Sequence, residues 1–335
     1  MAKKPLTPRV PGCRQLGEPL KNHASSPFRP AQAQFLRDGH HNGPKIAAAG
    51  NHDIIDCFEC GFRHALPLPD AAALEQQYRE TYYADEKPDF IAHAGEDQDW
   101  FALAQNDRLE AFERRLALGR RRLLDIGCGP GFFLKTAIAR GWQGHGIEPS
   151  RQACAHARGL GAAVTEGFFD AETAPALGRF DAVNLTNVLE HVADPIGVLT
   201  RAAQLLEPGG VLCVGVPNDF SPFQIGARGA LGIGEWWVAP PHHLNYFDFD
   251  SLAALLTRLG LGAQERTTSF PMEAFLMMGD DYTCDPVLGR ACHGRRKRFD
   301  FALETAGLKE VRRGFYRALA SQGIGREAVI IATKP

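Results

Sequence analysis

The sequence predicts an α/β fold, and three observations carry that prediction. From Arg122 onward, apolar runs of strand length alternate with amphipathic segments of helix length, the pattern of βαβ units whose strands share one sheet. The junctions carry helix-start pairs, Pro149-Ser150 and Asp194-Pro195. At such junctions a side-chain oxygen caps the first turn and proline suits the first helical position. A turn dense in glycine, Gly127-Cys128-Gly129-Pro130-Gly131, joins the first of these strands to the segment after it.

In chain order, the expected strands are RLLDIG (122–127), GHGIE (144–148), AAVTE (162–166), FDAVNLTN (180–187) and GVLCVGVP (210–217). A helix opens at Asp194-Pro195 and ends before Glu207-Pro208-Gly209-Gly210; another follows Asp248 and stops at Gly260. REAVIIATK (326–334) is a last strand, reached after an excursion of about residues 271–325. That excursion is too long for a plain loop and reads as a helical lid or insertion. Its MEAFLMMGDDYTCDP stretch reads as core. Upstream, residues 1–45 are proline-rich with little apolar periodicity and read as a flexible arm. Residues 46–118 form a module with a cysteine pair and a tyrosine-rich helix, and 119–335 form the main domain.

Composition narrows the function. Of 335 residues, 44% are hydrophobic and 23% charged, enough to bury a sizeable core. Lys+Arg 37 against Asp+Glu 39 leaves a net charge of -2, so no overall field draws the chain to nucleic acid or an anionic membrane. No apolar run approaches the ~18 residues of a membrane helix, and the basic N-terminus lacks the apolar stretch of a secretory signal. Eight cysteines are too sparse for a disulfide scaffold. The expectation is a cytoplasmic protein, monomer or homodimer, with a small-molecule partner and neither nucleic acid nor membrane.

The glycine-rich turn is the strongest signal. Alternate glycines let the backbone bend sharply and approach a ligand closely, and the helix beyond offers unpaired N–H groups to a negative group. A dinucleotide fingerprint needs a third glycine three positions after Gly129, where this chain has Phe132. The spacing is instead D-x-G-x-G-x-G, beginning at Asp125. Glu148, at the end of the second strand, suits two vicinal ribose hydroxyls because a carboxylate accepts two charge-assisted hydrogen bonds.

LLDIGCGPGFFL, GIEPS, FDAVNLTNVLEHVADP and LLEPGGVLCVGVPN resemble, in order and spacing, the successive motifs of class I S-adenosylmethionine-dependent methyltransferases of the small-molecule type, such as sugar, polysaccharide-cluster and natural-product enzymes. The resemblance covers about residues 120–270 and the final strand. It implies a seven-stranded, mostly parallel, Rossmann-like sheet whose last strand runs antiparallel. It also implies S-adenosylmethionine as cofactor. Asp125, Gly127, Cys128, Gly129 and Gly131 would cradle its methionine part, Glu148 and Pro149 the ribose, Gly167 and Phe168 the adenine, and Thr186 and Asn187 the amino-acid end.

Methyl transfer to a hydroxyl, amine or carbon benefits from a base. The candidate catalytic residues are Glu190 and His191 beyond the fourth strand and His243 in PPHHLNYFDFD. His243 matches the base of the sugar C-methyltransferases that this tract resembles; His242 stands where those enzymes have an acid. His242, Tyr246, Tyr82 and Tyr83 are candidate acceptor-binding residues. A catalytic metal on Glu190, His191 and His243 is the competing reading, weakened because Asn187 replaces the first acid of the related E-x-x-E-H motif.

Cys57 and Cys60 are candidate ligands of a structural zinc, since related enzymes carry a zinc-binding N-terminal module of C-x-x-C pairs. Only one pair is present here, followed by His64, which could complete a ligand set only partly; the nearest upstream thiol is Cys13, and His40, His41 and His52 are nearer donors, so a metal-free hairpin is favoured. The basic HGRRKR run reads as solvated, or as a site for a diphosphate or carboxylate on the substrate. The function expected is methyl transfer to a sugar, nucleotide-sugar or natural-product intermediate. The alternatives are a macromolecule methyltransferase and a catalytically silent cofactor-binding partner protein.

Overall fold

The computed structural model describes residues 35–69, 74, 76, 78, 79 and 89–335. Twelve strands are defined among these residues: β1 (Phe35–Asp38), β2 (His41–Ala49), β3 (His52–Cys57), β4 (Phe62–Leu66), β5 (Arg122–Ile126), β6 (Gln143–Glu148), β7 (Ala163–Glu166), β8 (Phe180–Thr186), β9 (Leu206–Pro217), β10 (Asn245–Tyr246), β11 (Gly262–Thr267) and β12 (Glu327–Thr333).

Seven of them form the main sheet, in the order β11-β12-β9-β8-β5-β6-β7. β5, β6, β7, β8 and β9 pair in parallel, whereas β12 runs antiparallel to both β9 and β11. This is the expected sheet, including its reversed last strand. The strands between are covered on both faces, so they read as near-continuous apolar runs: one apolar cluster includes Leu124, Ile126, Val183, Leu185, Leu212 and Val214, and the other includes Leu123, Ala182, Val211 and Cys213. Truncating Leu123 or Leu124, each fully buried, would cost about 2–5 kcal/mol through the cavity left behind.

The caps foreseen in the sequence are made. The Ser150 side chain accepts from the Ala153 N–H, and Asp194 from the Gly197 N–H at 2.8 Å with Pro195 at the first helical position. Ser221 and Asp248 head two further helices, Pro222–Leu231 and Phe249–Arg258, each with a reciprocal capping box. β11 is the sixth strand that the resemblance implies, its residues unmarked in sequence because GAQERT has no apolar run; it is an edge strand, where polar residues belong. The excursion before β12 holds the helices Glu273–Met277, Pro286–Thr305 and Lys309–Ser321, and Met272, Phe275 and Cys292 form its small core.

A second sheet, β1-β2-β3-β4-β10, is antiparallel throughout. It corrects the boundary expected at residue 46: β1 and β2 already occupy 35–49, joined at a turn where Gly39 has φ +58°. Dense prolines upstream concealed that hairpin. β10 is contributed from the segment after β9, so this sheet bridges the N-terminal module and the main domain. Among the described residues no helix is long and apolar enough to cross a membrane.

Candidate active site

The glycine-rich turn sits at the carboxyl end of β5, beside the end of β6. Gly127, Gly129 and Gly131 have φ of +65°, +51° and +84°, a region that strains other L-residues. Space matters as well. A Cβ on Gly127 would lie 2.5 Å from Val188 Cγ2, and one on Gly131 would lie 2.5 Å from the Ala157 Cβ. Gly131 therefore serves the packing of Phe132–Ala139 on Arg151–Gly159 and does not line the cavity.

Glu148 is 5% exposed and its two carboxylate oxygens are already oriented. Oε2 accepts from the Gly129 N–H at 3.0 Å and Oε1 from the Ser150 N–H at 2.9 Å. Each oxygen keeps a further lone pair. Burial pushes the carboxyl above its ordinary range, and the two N–H donors oppose that shift. Asp125 is placed differently from the expectation. It lies behind the turn, 3% exposed and off the cavity wall, accepting from the Asn184 side-chain amide at 2.6 Å. Burial pushes its carboxyl up to about 7.

In front of the turn lies a cavity of about 660 Å³. Gly127, Cys128, Gly129, Glu148, Pro149, Gly167, Phe168, Thr186 and Asn187 all line it, so nine of the eleven expected cofactor residues meet there. Asn187 holds φ +56° and donates its N–H to the Gly215 carbonyl at 2.8 Å. A non-glycine residue in that conformation stores strain and is typical of functional sites. Arg79 stacks over Phe168 at 5.1 Å. Burial raises the Cys128 thiol, which stays neutral.

The cavity continues to a second end lined by Glu190, His191, His243, Asp219, Trp236, Trp237 and Arg326. The three candidate catalytic residues come together as expected. His191 Nε2 is 3.6 Å from Glu190 Oε1, and the His191 and His243 rings meet edge to face at 5.1 Å. His191 Nδ1 lies 2.6 Å from the His242 carbonyl, which as an obligate acceptor assigns the proton to Nδ1. Tyr78 also lines the cavity, its ring 5.8 Å from that of His191.

Asp219, Trp236, Trp237 and Arg326 were not singled out from sequence. Asp219 is 3% exposed, and burial pushes its carboxyl up to about 7 against the pull of Arg326. Its Oδ1 receives a 3.5 Å contact from Gln224, while Oδ2 and the two indole N–H groups of Trp236 and Trp237 have no hydrogen-bond partner among the described residues. Buried polar groups in that state are poised for a ligand.

Several expectations need correction. Tyr246 is fully buried; its hydroxyl donates to the His243 carbonyl at 2.9 Å and accepts from the Ala239 N–H at 3.2 Å, so it braces the histidine loop from behind. His242 is exposed and off the cavity wall, and its carbonyl lies 2.6 Å from His191 Nδ1. Tyr82 and Tyr83 lie outside the described residues. Much of the HGRRKR run is engaged in pairing, while Arg298 is exposed as the solvated reading expects. Lys297 and His293 pair with Asp97, Arg295 pairs with Asp280, and Arg296 stacks on Trp100, together fastening Pro286–Thr305 to its neighbours. Of the donors that the sequence places near Cys57 and Cys60, His41 and His64 converge on them.

Comparison with known proteins agrees with this geometry. Residues 77–265, more than half of the chain, match the family model described as a methyltransferase domain. The chain belongs to that family. It is 34% identical over 152 residues to a ubiquinone biosynthesis O-methyltransferase of Cereibacter sphaeroides, covering 43% of this chain and 62% of that protein. It is 33% identical over 155 residues to the enzyme of the same name from Xanthomonas oryzae pv. oryzae, covering 44% and 64%. The chain thus spans under two thirds of the length of the curated relatives it matches. Among solved structures, magnesium protoporphyrin IX methyltransferase from Synechocystis, with bound S-adenosylhomocysteine, is similar with TM-score 0.48 and 12% identity, covering 79% of this chain and all of that one.

The site fits S-adenosylmethionine, the cofactor that the sequence motifs imply. Glu148 keeps lone pairs for two vicinal hydroxyls in a pocket of adequate size, backed by a turn whose backbone comes close without side chains in the way.

Proposed function

We propose that this chain methylates a hydroxyl of a small acceptor, with S-adenosylmethionine held at the Glu148 end of the cavity and the acceptor at the Asp219 end. The observation that carries the reading is one continuous cavity with the Glu190–His191–His243 cluster on the wall of its second end. When bound, the cofactor supplies a methyl carbon already activated by a sulfonium. The chain must therefore align, exclude water and take up one proton. His243 takes the acceptor's proton. Glu190 and His191 set the polarity around it: the carboxylate stabilises an imidazolium on the neighbouring ring, and the Nδ1 proton of His191 stays with the His242 carbonyl. The names of the curated relatives favour oxygen over nitrogen or carbon as the atom methylated.

Asp219, Trp236 and Trp237 offer an acceptor a carboxylate and two indole donors on a wall shared with Arg326 and the histidine cluster. That set suits a ring carrying several hydroxyls better than a nucleic acid or protein segment. The test is a panel of catechols, sugar nucleotides and amines with labelled cofactor, read as S-adenosylhomocysteine released and as label transferred. Turnover on hydroxylated rings supports the reading. Turnover on amines alone, or cofactor binding with no transfer to any class, overturns it.

A further inference from the structure

The side chains of His41, Cys57, Cys60 and His64 meet on the small sheet, well separated in sequence from the glycine-rich turn. β3 ends at Cys57, the chain turns through Cys60, and the Gly61 N–H returns to the Cys57 carbonyl at 2.9 Å, with φ +76° at Gly61. His64 then lies on β4, opposite Ile55, and β2 begins with His41. The four donor atoms all lie within 4.8 Å of one another. His41 Nδ1 is 3.3 Å from Cys60 Sγ and 3.9 Å from Cys57 Sγ. A tetrahedral zinc with its usual bond lengths would space sulfur and nitrogen ligands about 3.6 Å apart.

His64 supplies an independent observation. The residue is 1% exposed, and its Nδ1 lies 3.1 Å from the Ala65 carbonyl, which fixes the proton there. Nε2 is thereby left with its lone pair, buried and with no hydrogen-bond partner among the described residues. An imidazole nitrogen aimed into a pair of thiols, with a second imidazole edge-on at 4.7 Å between ring centres, is costly as an apolar core and natural as a coordination sphere.

We propose that His41, Cys57, Cys60 and His64 hold one tetrahedral zinc ion, and that this ion positions the catalytic histidine loop without touching the reacting atoms. The connection is short. His64 and Arg63 of β4 pair with Asn245 and Tyr246 of β10, and the Ala65 N–H donates to the Leu244 carbonyl at 2.8 Å. The Asn245 side-chain amide donates to the carbonyls of Leu189 and Val192 at 2.8 and 2.7 Å, spanning Glu190 and His191. Tyr246 holds the His243 carbonyl. The ion thus fixes a strand that carries one side of the catalytic cluster. This second half rests on the methyltransferase reading above; the ion itself does not.

The experiment uses the full chain produced with zinc supplied, and then exchanged with cobalt. Elemental analysis is expected to give one equivalent of zinc, and cobalt is expected to give a thiolate-to-metal absorption band with tetrahedral visible bands. Cys57→Ser and His64→Ala should lower the bound metal at least tenfold. Because either variant can fail to fold, the wild type is also stripped with a mercurial and its metal release, circular dichroism and S-adenosylhomocysteine affinity followed together. Stripping should lower kcat about tenfold or more, with cofactor affinity changed less than twofold and activity restored by zinc. Metal content below a tenth of an equivalent, full metal retention in both variants, or a cobalt spectrum lacking the thiolate band would overturn the site. A filled site whose removal leaves kcat unchanged would overturn the positioning role. Metal content and spectrum are read without any acceptor, so their failure is distinct from a failure of methyl transfer.

Discussion

The two ends of the cavity are built by different means. At the Glu148 end the chain uses backbone: two N–H groups fix the carboxylate, three glycines bend the turn, and consecutive strand tips deliver the parts. At the Asp219 end it uses side chains from loops far apart in sequence, and it leaves Asp219 Oδ2 and two indole N–H groups without partners among the described residues. An end made of satisfied backbone is rigid and general, suited to a ligand common to a whole family. An end made of unsatisfied side chains is exchangeable and belongs to one acceptor.

Substitutions can break or sharpen that contrast. The largest effect is expected from His243→Ala, which should lower kcat on a hydroxylated acceptor about 10²–10⁴-fold while S-adenosylhomocysteine affinity, read by calorimetry, stays within twofold. A comparable loss of affinity would mean that the two ends are not separate.

Asp125→Asn follows, and it concerns stability. Burial holds the folded carboxyl at about 7 against an ordinary 3.8. The folded state thus keeps a proton that the unfolded chain releases, so this contribution is present below pH 4 and fades as pH rises to about 7. Urea unfolding from pH 4 to 8 should show the wild type losing stability relative to Asp125→Asn, by at most about 4 kcal/mol. Parallel curves for the two proteins would remove Asp125 as the buried acid.

Glu148→Ala should weaken cofactor binding about 100-fold, since it removes two ribose acceptors and releases two backbone donors; calorimetry showing less than a fivefold change would take Glu148 out of the pocket. The smallest effect is expected at the other end. Asp219→Asn should raise the acceptor KM about tenfold above pH 7, where the wild-type carboxyl is ionised, and have less effect below it. A pH-independent KM ratio would show that Asp219 meets the acceptor as a neutral group or not at all.

The same contrast explains what could be read from residues alone. The cofactor end is legible because its constraints are local: a left-handed turn demands glycine, and the end of β6 places Glu148 a fixed distance away. Gly131 and Asp125 show the limit of that reading, since both belong to the D-x-G-x-G-x-G pattern yet one packs helices and the other is buried behind the turn. At the acceptor end, Asp219, Trp236 and Arg326 meet only because β9 and β12 are neighbours and the loop after β9 folds back. Tyr246 misled through proximity. Three positions from His243, on β10, its side chain turns into the small sheet's core with Ile54 and Ala65. His41 and His64 reach the cysteine pair through strand register, which a count of spacings does not reveal.

The reversed direction of β12 has a consequence of its own. Because this strand enters the sheet where its parallel neighbours leave it, its first residue, Glu327, and Arg326 just before it arrive at the ligand edge. Arg326 is held there by the Glu273 carboxylate at 3.4 Å and by backbone hydrogen bonds to Ser269 and Asn218 at 3.2 and 3.1 Å. On the function proposed above, drift around Glu273 would therefore retune acceptor choice from a distance while the Glu148 end stays untouched.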